Sequence, residues 1–360
     1  MEIPVISVVI PLYNAKEYIG ECLNSILAQT FQKFEVIVVD DCSKDGSIAV
    51  VESYVPKFDG RLRVMKTKKN SGGGGYIPRN IGLNLANGEY IFFADADDYL
   101  AKNALEILYN AATKNDADVV YTAAYYELNE ENKFHVLRDE KGKKLQRKGG
   151  EDKAELVTDD PEKNLNELFM EGGFQSPWTK FVRREFLTDN ELFFPEIVTG
   201  GDYIWSISVY SKAKKFLRLP VPVYFFRSYS LSFALRKERR PQKQVLFWVT
   251  AFVSWLRALN DLTAQNELLT KNPAWCYKAS SDYFKYCLGW MSDEVLNRFY
   301  SKDTYEILLR EFAKGNDPTA LIVPFFFSAI TNREKLAAKT QKRVDKLEEE
   351  ISQQKSRRSS

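Results

Sequence analysis

The sequence predicts an α/β fold: a mostly parallel sheet with helices on both faces, followed by a C-terminal helical region. Three observations carry this prediction. Through residue 125, short apolar runs alternate with stretches of helical periodicity. Two of those runs end directly in acids, at Val38-Val39-Asp40-Asp41 and Phe92-Phe93-Ala94-Asp95. Carboxyl ends of parallel strands are where ligands collect in such sheets. Beyond about residue 236 the strand pattern gives way to helical, aromatic-rich sequence.

Residues 5–11 are a continuous apolar run ending in Pro11, the pattern of a strand buried on both faces. Tyr18/Ile19, Cys22/Leu23 and Ile26/Leu27 then recur at helical spacing. Residues 34–39 read as a strand, 47–54 as a helix, 62–66 as a strand and 81–86 as part of a helix. Next come a strand at 90–94, a helix at 101–114 and a strand at 118–124. From 127 to 163 the composition turns charged and polar with several glycines, which predicts a mobile excursion between two halves of one domain. Apolar order returns at 165–169 and continues to about 233, and the basic run 236–243 marks a boundary. Trp248, Trp255, Trp275, Tyr283, Phe284 and Trp290 populate the helical stretch that follows. Ala337, Thr340, Val344, Leu347 and Ile351 keep three–four spacing among charges, a candidate coiled-coil seam for self-association. The chain thus divides into two halves of one domain at 1–125 and 126–235. A helical accessory region follows at 236–330, and a helical or coiled-coil tail at 331–360.

At 360 residues, 44% hydrophobic and 14% aromatic, the chain can bury a large core. A net charge of +2 points to no nucleic-acid partner. Cys22, Cys42, Cys276 and Cys287 lack CxxC spacing, which suits reduced thiols in the cytoplasm. A single histidine, His135, excludes imidazole zinc sites and Ser-His-Asp catalysis, so acid–base work falls to carboxylates. The N-terminus carries neither a basic n-region nor a long apolar run, so no signal peptide is expected. The apolar stretches 245–256 and 320–330 fall short of the ~20 residues that span a bilayer. The first reads as a buried helix, with peripheral contact to an anionic membrane surface as the alternative.

Asp95, Asp97 and Asp98 crowd the end of an apolar strand. They read either as solvated loop acids and a helix cap, or as ligands of a hard cation that bridges to a diphosphate. Asp40 and Asp41 form a second acidic pair at a strand end, with Asp45-Gly46-Ser47 as the turn and cap of the next helix. Asp41 is a candidate acceptor of hydrogen bonds from a nucleobase. The glycines of Asn70-Ser-Gly-Gly-Gly-Gly-Tyr-Ile-Pro-Arg-Asn80 match neither a dinucleotide fingerprint nor a P-loop. They lead into Arg79 and Asn80 at a helix start, where a guanidinium and free amides favour phosphate. Trp178 and Trp205 are candidates for stacking on a sugar ring, with a core role as the commoner alternative.

The order PLYN (11–14), VDDCSKDGS (39–47) and NSGGGGYIPRNIGLNLANGEYIFFADADD (70–98) resembles glycosyltransferase family 2. The resemblance is close over 5–125. It persists over 174–232 in Ser176-Pro-Trp-Thr-Lys-Phe-Val-Arg-Arg184, Gly200-Gly-Asp-Tyr203 and Val223-Tyr-Phe-Phe-Arg227, which resemble the acceptor half of capsule and teichoic-acid glycosyltransferases. It implies a GT-A fold, an inverting transfer, a UDP-sugar donor, Mn²⁺ or Mg²⁺, and a glycan or lipid-linked glycan acceptor. Pro11, Tyr13, Asn14, Asp41, Arg79, Asp95 and Ala96 would then bind the nucleotide-sugar, and Asp97 would ligate the metal. Asp202 falls at the general base, where the family has a preceding Glu and this sequence has Gly201. No QxxRW motif and no membrane span are present, against a processive synthase. The enzyme would work in the cytoplasm, with the inner face of the cell membrane open. The alternative is a catalytically inactive nucleotide-sugar-binding subunit of a glycan assembly complex, for which the missing Glu is the support.

Overall fold

Ile6, Val8, Val9 and Ile10 are fully buried, which a strand achieves only with helices over both of its faces. They form β1 (Ile6–Leu12). The computed structural model describes residues 3–128, 136–139, 143, 155–171, 176–228 and 241–289. The remaining strands are β2 (Phe34–Asp40), β3 (Leu62–Lys66), β4 (Tyr90–Phe93), β5 (Tyr99–Leu100), β6 (Val119–Thr122) and β7 (Ala124–Leu128), then β8 (Val136–Asp139), β9 (Glu155–Thr158), β10 (Lys180–Arg183), β11 (Phe216–Leu219) and β12 (Tyr224–Arg227). Among the described residues, an 8-stranded sheet runs β3-β2-β1-β4-β10-β6-β11-β9 and a 4-stranded sheet runs β5-β12-β7-β8.

Helices cover both faces of the large sheet. On one side α1 (Ile19–Leu27), α2 (Ser47–Tyr54) and α4 (Ala104–Asn115) share a core with Val8, Ile10, Val36 and Phe92. On the other, α3 (Tyr76–Leu85) lies so close to β1 that a Cβ on Gly82 would meet Val9 at 2.2 Å. On that same side Phe93 meets Trp205 of α7 (Gly201–Lys212) edge-on at 5.7 Å. Two shorter helices, α5 (Pro161–Asn166) and α6 (Arg184–Asp189), lie in the chain between α4 and α7.

The expected mostly parallel sheet is mixed. β3, β2, β1 and β4 pair in parallel, but β10 runs antiparallel to both β4 and β6. An apolar run does not encode the direction of its neighbours, so this reversal has no sequence signature. The single strand read at 118–124 divides at Ala123, where the chain leaves the large sheet for the small one. The excursion expected to be mobile carries strands at 136–139 and 155–158 and runs into α5. β8 pairs with β7, with Arg138 on Glu127 at 2.6 Å, and β9 joins the free side of β11. Its charges find partners across strands, which a reading of composition misses.

The chain divides into two compact units, residues 1–238 with 254–283, and residues 239–253 with 284–360. The helix Pro241–Ala264 contains the apolar stretch 245–256, and Trp248, Ala251, Phe252, Val253 and Trp255 are buried, as a core helix requires. Among the described residues no helix is long and apolar enough to cross a membrane. The heptad pattern at 337–351, His135, Trp290 and the stretch 320–330 lie outside the described residues.

Candidate functional site

β1 and β2 end level, with Leu12 opposite Asp40, and β4 ends opposite Val9. The loops leaving these three strands therefore gather at one edge of the sheet. Asn14 and Cys42 adopt left-handed backbone (φ 48° and 63°) as the chain turns off β1 and β2. The Asn14 amide donates to Ser43 Oγ at 3.0 Å, and its Oδ1 accepts from the Lys44 amide at 2.8 Å. Asp45 takes the amides of Lys16 and Ser47, each at 2.9 Å, as the turn acid before α2. Pro11 is half-buried at this edge, and Tyr13 is 46% exposed. Asp41 is buried and accepts from the Thr67 hydroxyl (2.9 Å), the Ser71 hydroxyl (2.7 Å), the Ser71 amide (3.0 Å) and the Asn70 side chain (3.2 Å). Its carboxylate is thus the anchor of the loop that leads into the glycine run.

That loop ends at α3, whose first turn carries Arg79 inward. The guanidinium is 4% exposed and bridges Gly74 O (2.7 Å) and Asp95 Oδ1 (2.5 Å), with the Phe194 ring 5.6 Å away. Burial works against its charge, and Asp95 and then Asp202 more than offset it, so its proton is held more tightly than in water. One buried cation therefore feels both the acid after β4 and the acid at the start of α7.

After β4 the three acids differ by environment. Asp95 is half-buried on Arg79, and its amide donates to Tyr224 Oη at 3.0 Å. Ala96 is buried, and Asp97 is half-buried like Asp95. Asp98 is 2% exposed, with Oδ1 accepting from the Arg227 amide at 2.7 Å. Burial first, then Asp97 and Asp95, pushes the Asp98 carboxyl well above the usual carboxylate range. Burial, then Asp98, Asp97 and Asp95, raise the Cys22 thiol, and burial, then Asp98 and Asp95, raise the Tyr224 hydroxyl. Arg227 brackets the group from the far side. Its Nε donates to Asp97 O (2.8 Å) and Nη2 to Glu21 (2.5 Å), with the Tyr18 ring at 4.9 Å. Among the described residues no three His, Cys, Asp or Glu side chains close a metal cage. Mg²⁺-type cations instead take one or two carboxylates and complete their shell with water and phosphate oxygens. A negative field around the half-buried Asp97 fits a cation of that kind.

Asp202 sits in the first turn of α7, where the helix dipole favours an anion. The turn before it is held by aromatic side chains. Trp255 Nε1 donates to Gly200 O (3.1 Å), Tyr283 Oη donates to Thr199 O (2.8 Å), and the two rings stack at 4.4 Å. Gly200 has φ +79°, and a Cβ there would meet Tyr283 at 2.4 Å, so only glycine fits on both counts. A Cβ on Gly201 would lie 2.9 Å from the Tyr76 ring, which is itself buried and stacked near Phe194. The space a glutamate would need at 201 is filled by Tyr76. Glu196, six residues upstream, is exposed.

Reading the sequence missed three residues of this edge: Tyr76, Lys180 and Arg227. Lys180 opens β10 and Arg227 closes β12, so each sets a cation at the end of a short apolar run, and that was the signal available. Trp178 and Trp205 are core residues. Trp178 stacks on Tyr224 at 4.5 Å, and Trp205 stacks on Phe194 at 4.6 Å with Nε1 donating to Leu192 O.

Comparison with known proteins places this arrangement. Residues 7–189 match the family model described as glycosyl transferase family 2. The chain is 32% identical over 223 residues to the poly(ribitol-phosphate) beta-N-acetylglucosaminyltransferase TarS of Staphylococcus aureus, covering 61% of this chain and 35% of that protein. It is 33% identical over 215 residues to a poly(ribitol-phosphate) beta-glucosyltransferase of Bacillus spizizenii, covering 58% and 30%. These matches span about a third of the relatives' own length. The crystal structure of S. aureus TarS 1–349 in complex with UDP-GlcNAc superposes with a TM-score of 0.52 at 29% identity, covering 69% of this chain and 66% of that one. With its mixed α/β sheet and acids gathered at the strand ends, the chain belongs to glycosyltransferase family 2.

Proposed function

We propose that the chain is an inverting glycosyltransferase moving a sugar from a UDP-sugar to a hydroxyl of a cell-surface or lipid-linked glycan. The observation that carries this reading is Arg79, a buried cation that pairs with Asp95 and also feels Asp202. Donor chemistry and acceptor chemistry meet there. The similarity to enzymes named for poly(ribitol-phosphate), and to TarS solved with UDP-GlcNAc, supports the donor class and a polymeric acceptor.

In this reading Pro11, Tyr13, Asn14 and Asp41 line the nucleobase end, and Asp95 and Ala96 lie along the ribose and sugar. Asp97 would hold Mn²⁺ or Mg²⁺, which supplies positive charge to the diphosphate as it leaves. Arg79 adds a fixed positive charge on the same side. Asp202 takes the proton of the acceptor hydroxyl as its oxygen bonds to the anomeric carbon. The bond from that carbon to the diphosphate breaks, and UDP departs with the electron pair from the opposite face. No acid is needed on the leaving group. A lipid-linked acceptor would place the enzyme at the inner face of the cell membrane. Gly201 does not favour an inactive subunit, because Tyr76 accounts for the absent side chain sterically.

The test is UDP release by the full chain over a panel of UDP-sugars, with Mn²⁺ and with a chelator. Release from a particular donor, lost on chelation, is expected. UDP binding with no release from any donor would overturn the reading in favour of a nucleotide-sugar-binding subunit.

A further inference from the structure

Lys180 is fully buried and has no part in the chemistry described so far. It opens β10, one position beyond the Phe181–Phe92 pair, so it stands level with the end of β4 from which Asp95 and Asp97 emerge. Its Nζ donates to Ser176 O at 3.0 Å and to Thr179 Oγ1 at 3.3 Å. Around the ammonium stand the rings of Trp205 (6.0 Å), Tyr210 (5.8 Å) and Tyr121 (6.0 Å). Trp205 and Tyr210 belong to α7, the helix whose first turn carries Asp202. Packing does not require a charge here. A buried ion costs several kcal/mol to desolvate, and an apolar side chain of the same length fills such a site at least as well.

We propose that Lys180 is a positioning residue for Asp202: its ammonium, locked between β10 and α7, is the counter-charge that keeps the acceptor-side carboxylate an anion. Two buried cations thus feel that carboxylate, Lys180 from β10 and Arg79 from α3. Among the described residues, the Tyr121 and Tyr210 rings also face the ammonium. Burial pushes the Lys180 ammonium down to about 7, and Asp202 is the anion that opposes this loss of charge. The two groups are thus electrostatically linked in the pH range where transfer would run. The inference rests on Asp202 being the base.

The experiment is single-turnover transfer against pH for Lys180→Met, Asp202→Asn and the double variant, with UDP affinity and melting temperature measured on each. Removing the cation makes Asp202 harder to ionise. The acid limb of the Lys180→Met profile should therefore move up by about one pH unit, and transfer at pH 7 fall about tenfold. UDP affinity should hold. In the Asp202→Asn background the same change should cost nothing further, because Lys180 acts through Asp202. An unmoved acid limb, or an equal loss in both backgrounds, would overturn the proposal even where Asp202→Asn alone is crippled. Near-normal transfer by Asp202→Asn would instead overturn the base assignment beneath it. Lys180→Gln, which keeps donors for Ser176 O but not the charge, should match Lys180→Met, and it carries the same test if the Met variant fails to fold.

Discussion

Neighbouring aspartates at the end of β4 are given different work by their surroundings. Asp98 is buried, takes the Arg227 amide and is driven toward its neutral form, so it behaves as part of the core. Asp97, one residue earlier, is half-buried, with its backbone oxygen held by Arg227 Nε. Fixing the main chain while leaving the carboxylate at the edge suits a ligand for a cation that arrives with the diphosphate. Asp97→Asn should therefore leave the melting temperature nearly unchanged. Changes in the outer shell of a metal site cost about 10–100-fold in affinity, so losing a direct ligand should weaken Mn²⁺-dependent UDP binding by at least that. Calorimetry that finds undiminished Mn²⁺-dependent UDP binding in Asp97→Asn would remove Asp97 from the metal site.

At the scale of elements, the start of α7 is wedged between α3 and two aromatic side chains from later in the chain, Trp255 and Tyr283. Tyr76 presses on Gly201, while Trp255 and Tyr283 hold Gly200 and Thr199. Restoring the family's acid by Gly201→Glu should destabilise the fold by about 1–3 kcal/mol through overpacking, and Tyr76→Ala in the same chain should recover part of it. Thermal or denaturant unfolding reads this directly; a Gly201→Glu chain as stable as the parent would refute the steric account. The same region marks the limit of what the sequence made legible. Strand ends rich in acid, the glycine run before Arg79 and the helix after Asp202 could all be read, because apolar runs, caps and charges leave local signatures. The antiparallel insertion of β10, the switch of sheet at Ala123 and the filling of the 201 side-chain space by Tyr76 are set by partners far away in sequence. Lys180 and Arg227 were visible only as cations at the ends of apolar strands, which does not say what they would pair with.

Over the whole molecule, the large sheet gathers three loops from parallel strands at one edge and brings α7 to them from beyond an antiparallel strand. The strand-end loops are thus built from local sequence, and Asp202 is delivered by long-range packing through β10, Trp255 and Tyr283. The central claim is that Asp202, so delivered, takes the acceptor proton. Its most direct test is single-turnover transfer by Asp202→Asn, beside Glu196→Gln, with UDP titrations of both. Asp202→Asn should bind UDP and metal nearly as the parent does and lose transfer by ~10²–10⁴-fold, the usual worth of a positioned base. Near-normal transfer by Asp202→Asn, with a collapse in Glu196→Gln, would contradict the account and move the base to Glu196.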